Sequence, residues 1–157
     1  MYDLIVCLDD AMSNIKSSLD MKSNGWVVNV DYSNTHIEPG MSSWFLHYST
    51  VCGIDTFFGY KRNNELGTVS YTFKGFGMAT MNIGNCYQGF VAIYINNVRR
   101  TYFKGGQFTN FEFKYKKGDV LLITESGIAI IKLSNIYVSC FGKYNTHLSL
   151  ICFIWLN

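Results

Sequence analysis

Apolar and polar residues alternate along most of the chain between residues 68 and 140. In residues 68–74, Val69, Tyr71 and Phe73 alternate with polar neighbours. A period of two places successive side chains on opposite faces of a strand, so this pattern predicts a strand with one buried and one wet face.

Runs of this kind, rich in aromatic and β-branched residues, recur along the chain and predict further strands. They cover residues 25–32, 43–48, 79–83, 90–95, 98–103, 110–116, 120–124, 128–133 and 136–140. Residues 90–95 are apolar on both faces, which predicts a strand inside a sheet. The Asn96-Asn97 step after them favours a tight hairpin, because asparagine tolerates positive φ.

Turn signals recur about every ten residues, which is typical of a sandwich or barrel. We expect Asp119, in the turn before residues 120–124, to accept backbone hydrogen bonds. No alternation of strands with long helices is present. The predicted fold class is therefore all-β, an antiparallel β-sandwich of jelly-roll type.

The pattern weakens at both ends of the chain. Residues 1–42 are weakly patterned, with one short helix expected over residues 11–22, and residues 141–157 form an apolar tail. We expect a single domain over residues 1–157 with its recognisable core at 68–140. The apolar run LSLICFIWL in the tail is shorter than the roughly 20 residues of a transmembrane helix, so no membrane span is expected. An apolar tail after the last recognisable strand suggests that the chain is a fragment.

Composition separates this chain from several classes of protein. It is 48% hydrophobic and 17% aromatic with 15% charged residues, which excludes a disordered chain. The formal net charge is +2, and the basic residues occur in small, scattered groups rather than on one face. A dedicated nucleic-acid binder carries a clustered basic surface, so no nucleic-acid partner is expected.

Motifs for catalysis or for metal binding are missing from the sequence. His36, His47 and His147 lie in separate segments without metal-ligand spacing, so no metal or other cofactor is expected. His47 and Cys52 are close in sequence, but no flanking motif supports a nucleophile–base pair. The chain also lacks a nucleophile elbow, a P-loop and a dinucleotide fingerprint. We expect it not to be an enzyme.

Three segments carry a resemblance to a known class of domain. They read GFGMATMNIGNCYQGFVAIYINN, FEFKYKKGDVLLITE and IIKLSNIYVSC, and together they fall within residues 75–140. Their order resembles the β-sandwich of galactose-binding-like and carbohydrate-binding modules of extracellular proteins. Asn96-Asn97 stands where those modules commonly have Asn-Gly. The resemblance implies an extracellular or secreted accessory module that binds a ligand without catalysis, although residues 1–10 show no signal peptide.

The five cysteines allow two interpretations, buried free thiols or one or two disulfides with a thiol left over. In the resembling sandwiches, Cys86 and Cys140 would each lie at the end of a strand at one rim. The resemblance therefore implies a Cys86–Cys140 disulfide, with Cys52 as a competing partner.

The expected function is recognition of a carbohydrate or protein ligand by aromatic and polar side chains in loops. The alternative is a structural subunit that forms a homo-oligomer through the jelly-roll domain. Independently of that choice, Tyr87 and Tyr102 can also be interpreted as rim packing, and Arg99 and Arg100 as protection of an edge strand. The candidate ligand-binding residues are Tyr60, Arg62, Asn85, Tyr87, Gln88, Arg99 and Arg100.

Overall fold

A computed structural model describes residues 7–15, 18–30, 57–59, 61, 65–86, 88–127 and 129–140. Its two helical pieces are a 3₁₀ turn at Asp10–Ser13 and the short helix α1 at Ser18–Ser23. The strands in this part of the chain are β1 (Val27–Asn29), β2 (Phe57–Gly59), β3 (Gly67–Thr72), β4 (Gly77–Asn85), β5 (Phe90–Ile95), β6 (Val98–Lys104), β7 (Phe108–Tyr115), β8 (Val120–Ser126) and β9 (Ile131–Cys140).

The strands form two antiparallel sheets. One has five strands in the order β1-β3-β8-β5-β6, and the other has four in the order β2-β9-β4-β7. From β3 to β9, each strand lies in the opposite sheet from the one before it, except for the β5–β6 hairpin. These crossings place the two sheets face to face, and the predicted antiparallel, jelly-roll-like β-sandwich is confirmed.

The core lies between the two sheets and follows the alternation of the sequence. Val69, Tyr71 and Phe73 from the first sheet are at most 1% exposed. Phe73 stacks on Tyr115 of the second sheet with ring centroids 3.9 Å apart. Residues before β1 also belong to this core, because Trp26 is buried and donates its indole N–H to the carbonyl of Met12 at 3.2 Å.

Three sequence-based predictions of secondary structure differ from the structure. The predicted helix over residues 11–22 is divided into the 3₁₀ turn and α1. Residues 131–133 of the predicted strand at 128–133 and the whole predicted strand at 136–140 belong to one strand, β9, which continues through Asn135 at a φ of 50°. Strand β5 does lie inside its sheet, but only one face is buried, and Phe90 is 46% exposed. The predicted strand at residues 43–48 lies outside the described residues.

The prediction for the β5–β6 turn is confirmed. Asn96 and Asn97 have φ values of 50° and 64°. The Asp119 carboxylate accepts the Lys116 N–H at 2.9 Å, as expected, and also the Asn96 side-chain amide at 2.9 Å. Partial burial alone would raise the pKa of Asp119, but these hydrogen bonds and the charge of Lys116 outweigh it and lower the pKa.

The predicted Cys86–Cys140 disulfide is wrong. Cys140 is bonded to Cys7, with 5.4 Å between their Cα atoms, and Cys86 is itself in a disulfide. Tertiary packing brings the N-terminal segment to the end of β9, and the weak sequence pattern there carried no signal of it. The physical reason is that disulfide pairing depends on Cα separation, which sequence spacing does not determine.

A buried carboxylate holds the same N-terminal segment. Asp9 is fully buried and accepts hydrogen bonds from the Tyr71 hydroxyl at 2.9 Å and from the N–H groups of Lys74 and Gly75 at 2.8 and 3.0 Å. Burial, together with the nearby Asp9 carboxylate, raises the pKa of Tyr115 to about 12. Burial and the hydrogen bond to Asp9 also raise the pKa of Tyr71, so both tyrosines stay protonated at neutral pH.

Candidate functional site

The outer face of the four-stranded sheet carries rows of side chains that run across β7, β4 and β9. One row consists of Asn110, Asn82 and Ser134, which are direct neighbours in the strand register. The strands that carry them are spaced about 4.8 Å apart, so the backbones of neighbouring residues in the row are separated by about that distance. Because Ala79, Met81 and Ile83 of β4 are buried, the alternate residues of this strand, including Asn82, point outward.

The next row contains Phe108, Gly84 and Lys132. Phe108 is 52% exposed, and a methyl group placed on Gly84 would overlap its ring. The ring therefore lies across residue 84, and it can do so because glycine has no side chain; any other residue would place a Cβ atom where the ring lies. The Lys132 ammonium lies 5.2 Å from the centroid of the Phe108 ring, within the range of a cation–π interaction.

These two rows form an open groove of about 410 Å³, which is within the size range of small-molecule sites. An exposed aromatic ring, amide groups, hydroxyl groups and one ammonium are thus gathered on one rigid sheet. The described residues that line the groove are Asn82, Phe108, Thr109, Asn110, Lys132, Ser134 and Asn135.

The amides in the groove are available to a ligand. Within the described part of the chain, the side-chain amides of Asn82 and Asn110 form no hydrogen bonds, and neither residue is buried. An asparagine amide offers two donors and an acceptor with two lone pairs. The pair can therefore donate to and accept from the same ligand.

The same outer face continues past the groove to another exposed aromatic residue. Tyr137 on β9 is 68% exposed and lies in register with Thr80, which donates a hydrogen bond to the Glu112 carboxylate at 3.2 Å. Two strand spacings and four residues separate the Cα atoms of Tyr137 and Phe108, a distance of roughly 17 Å. A ligand that touched both rings would have to be an extended molecule.

A smaller aromatic cluster lies on the outer face of the five-stranded sheet. The rings of Phe90 and Tyr102 are 6.1 Å apart, and the Arg99 guanidinium lies 4.9 Å from the centroid of the Tyr102 ring. Tyr102 is 52% exposed. Phe90 lies on the inner strand β5 and Tyr102 on the edge strand β6, whereas Phe108 lies in the groove of the other sheet.

The structure separates the ligand-binding residues that the sequence predicted. Asn85 is fully buried, and its amide nitrogen donates to the carbonyl of Gly89 at 3.2 Å while its oxygen accepts the Ile130 N–H at 3.2 Å. Its side chain holds a loop in place. Gln88 is exposed at the start of β5.

The two predicted arginines lie far from that loop. Arg99 pairs with Tyr94 near the opposite end of β5, and Arg100 is an extra residue at a bulge in β6. Both are exposed on the edge strand of the five-stranded sheet, as in the edge-protection interpretation. The other three candidates, Tyr60, Arg62 and Tyr87, lie outside the described residues.

The sequence interpretation did not include the residues of the groove, although their signal was present. Phe108 continues the alternation that places Asn110 and Glu112 of β7 outward, and Tyr137, beyond the groove, lies on the outward side of β9. An aromatic residue on a polar face is an exposed aromatic residue. The sequence-based prediction placed the ligand-binding aromatic residues in loops, whereas these two lie on strands.

The described residues form neither a metal cluster nor a membrane-spanning helix. They contain no group of three or more His, Cys, Asp and Glu side chains that could hold a metal ion. No helix among them has the length and apolar content needed to cross a membrane.

Comparisons with known proteins give partial structural matches. No protein-family model and no curated protein matches the chain. The secreted serine protease VesC from Vibrio cholerae is similar with a TM-score of 0.46 at 9% identity, over 54% of this chain and 21% of the protease. A mutant of a family 29 carbohydrate-binding module is similar with a TM-score of 0.42 at 13% identity, over 54% of this chain and 71% of the module.

A third match is TmCBM61, solved in complex with beta-1,4-galactotriose. Its TM-score is 0.39 at 12% identity, over 57% of this chain and 72% of the module. The second and third matches are carbohydrate-binding modules.

Proposed function

We propose that this protein is a non-catalytic recognition module that binds a carbohydrate in the groove on the outer face of the four-stranded sheet. The observation that carries the proposal is the exposed Phe108 ring, held across Gly84 in a groove lined by amide and hydroxyl groups. The proposal therefore places binding on the sheet face rather than in the loops.

The chemistry of a sugar matches this arrangement. A pyranose ring presents apolar C–H groups on its faces and hydroxyl groups around its rim. The C–H groups pack on the face of an aromatic ring, and the hydroxyls need partners that both donate and accept hydrogen bonds. Phe108 supplies the apolar surface, while Asn82 and Asn110 supply the polar partners one row away.

The charges in the groove favour binding over hydrolysis. Most glycoside hydrolases use two carboxyl groups on either side of the scissile bond. Among the described residues that line the groove, Lys132 carries the only charge and none has a carboxylate. Glu112 lies on the same face beyond the groove, where its carboxylate accepts the Thr80 hydroxyl.

The test replaces the aromatic ring and compares the two faces of the sandwich. We expect the wild-type protein to bind at least one member of a panel of soluble polysaccharides in titration calorimetry. Phe108→Ala removes the packing surface, so the affinity should fall about tenfold or more, since aromatic packing is worth over 1 kcal/mol. Tyr102→Ala, which removes an exposed ring from the other sheet, is the matched control and should bind as the wild type does.

The stability of both variants is measured by thermal unfolding, so that a loss of fold is not mistaken for a loss of binding. If no polysaccharide binds the wild type, or if Tyr102→Ala weakens binding as much as Phe108→Ala, the groove is not the carbohydrate site.

A further inference from the structure

Lys132 is the feature of the groove that a neutral sugar does not explain. Its side chain is partly buried, and its ammonium group lies over the Phe108 ring. In the strand register, Lys132 pairs with Gly84 of β4 on one side and with Phe58 of β2 on the other. Among the described residues, no carboxylate forms an ion pair with it.

Among the described residues of this sheet, the acidic residue nearest in the register is too far away to neutralise this charge. Glu112 lies two strands and four residues from Lys132, or roughly 17 Å between Cα atoms. Its carboxylate accepts the hydroxyl of Thr80. The ammonium of Lys132 is thus a cation in a groove whose other described lining residues are neutral.

We propose that the carbohydrate bound in this groove is anionic, and that Lys132 contacts its carboxylate or sulfate group. The inference rests on the proposed function and adds the charge of the ligand to it. A sugar that packs on Phe108 comes directly beside the Lys132 ammonium, because the two side chains flank the same glycine. An acidic group on that sugar would form a charge-assisted hydrogen bond, which is stronger than one between neutral groups.

The distribution of the remaining charges supports the same conclusion. Asp9 and Glu125 are fully buried and Asp119 is 8% exposed, so these three carboxylates are directed away from any ligand. Most of the exposed charged groups in the described part of the chain are cations. They include Lys74, Arg99, Arg100, Lys104, Lys114, Lys116 and Lys117. The exposed carboxylates in the same part of the chain are those of Asp10, Glu65 and Glu112, so an anionic ligand meets few like charges there.

The experiment compares three polymers of one sugar that differ in charge: a neutral galactan, a polygalacturonate and a sulfated galactan. Affinities are measured by titration calorimetry at low ionic strength. We expect at least one charged polymer to bind about tenfold more tightly than the neutral one, which is the scale of one charge-assisted hydrogen bond. Comparison of the two charged polymers shows whether the group is a carboxylate or a sulfate.

Two lysine variants separate a local contact from general attraction. Lys132→Gln should bring the ratio of charged to neutral affinity close to one. Lys117→Gln removes an exposed charge from the turn between β7 and β8, outside the groove, and should keep the wild-type ratio. Equal binding of the neutral and charged polymers, or equal effects of the two variants, would overturn the inference while leaving carbohydrate binding in place.

Two further outcomes would also count against it. If none of the three polymers and no other polysaccharide binds, the proposed function fails together with the inference. Duplex DNA could bind as tightly as the charged polymers, with Phe108→Ala weakening neither the binding of DNA nor that of the polymers. The protein would then attract polyanions without recognising the sugar. That result would overturn the inference as well.

Discussion

At the scale of single residues, Gly84 is the position on which the candidate site depends most directly. A Cβ atom there would overlap the Phe108 ring, so the aromatic surface lies flat only because residue 84 has no side chain. The ring is half exposed and belongs to a side chain that can rotate. A substitution at residue 84 can therefore displace the ring without breaking the sheet.

We predict that Gly84→Ala lowers the affinity for the bound polysaccharide about tenfold, while the unfolding free energy changes by less than about 1 kcal/mol. Calorimetry and urea denaturation measure the two quantities. Gly77→Ala is the contrasting variant, because its methyl group would meet the backbone carbonyl of Ser139 and the Cα of Cys140. Overpacking against backbone cannot be relieved by a rotation, so we expect Gly77→Ala to cost about 2–3 kcal/mol of stability. A large stability loss for Gly84→Ala would contradict this description of the site.

At the scale of an element, the β5–β6 hairpin shows how two adjacent asparagines play different roles. Both have positive φ, but only the side chain of Asn96 holds neighbouring structure. Its amide nitrogen donates to the Asp119 carboxylate and its oxygen accepts the Val120 N–H, each at 2.9 Å. Asn97 is exposed, and its role in the turn is limited to adopting the left-handed backbone conformation, which asparagine tolerates.

This difference leads to opposite predictions for glycine at the two positions. Asn97→Gly should raise the unfolding free energy by roughly 0.5 kcal/mol, because glycine adopts positive φ without steric cost. Asn96→Gly should lower it by about 1–3 kcal/mol, because two hydrogen bonds between the two turns are lost. Urea denaturation of both variants measures the changes. An equal effect of glycine at the two positions would show that the Asn96 side chain contributes nothing.

The bulge in β6 bears on the alternative in which the protein forms a homo-oligomer through its jelly-roll domain. The strand is the edge of the five-stranded sheet, and Arg100 is the extra residue at its bulge. Bulges and cationic side chains are the usual features that prevent an edge strand from pairing with another chain. Strand β6 is therefore poorly suited to extending the sheet into a second copy.

At the scale of the whole molecule, the N-terminal segment is fastened to the sandwich at two places. Asp9 accepts hydrogen bonds from the end of β3 and the turn after it, and Cys7 is bonded to Cys140 at the end of β9. The disulfide joins residues 133 positions apart in the chain. A cross-link over such a long loop restricts the unfolded chain strongly.

We predict that Cys7→Ala lowers the unfolding free energy by about 2–5 kcal/mol, the usual effect of losing a native disulfide. Urea denaturation without reductant measures this loss. The double variant Cys7→Ala/Cys140→Ala should be at most about 0.5 kcal/mol less stable than the single variant, because the two substitutions remove the same bond. A further large loss in the double variant would contradict the pairing, as would a Cys86–Cys140 peptide in a non-reducing digest.

The sequence by itself determined the strands and their buried faces over most of residues 68–140. The alternation of Val69, Tyr71 and Phe73 is a local property, and burial of an apolar face acts on each strand separately. The hairpin at Asn96-Asn97 was predictable for the same reason, since the conformation of a tight turn depends on its own residues.

Only the tertiary structure decided the disulfide partner and the candidate site. Phe108, Gly84 and Lys132 belong to three strands that are distant in sequence, and they form one row only in the register that β7, β4 and β9 adopt. Cys140 lies as close to Cys7 as a disulfide requires only because the fold brings the segment that contains Cys7 to the end of β9. Non-local register and distance depend on how the whole core packs, and no local pattern encodes them.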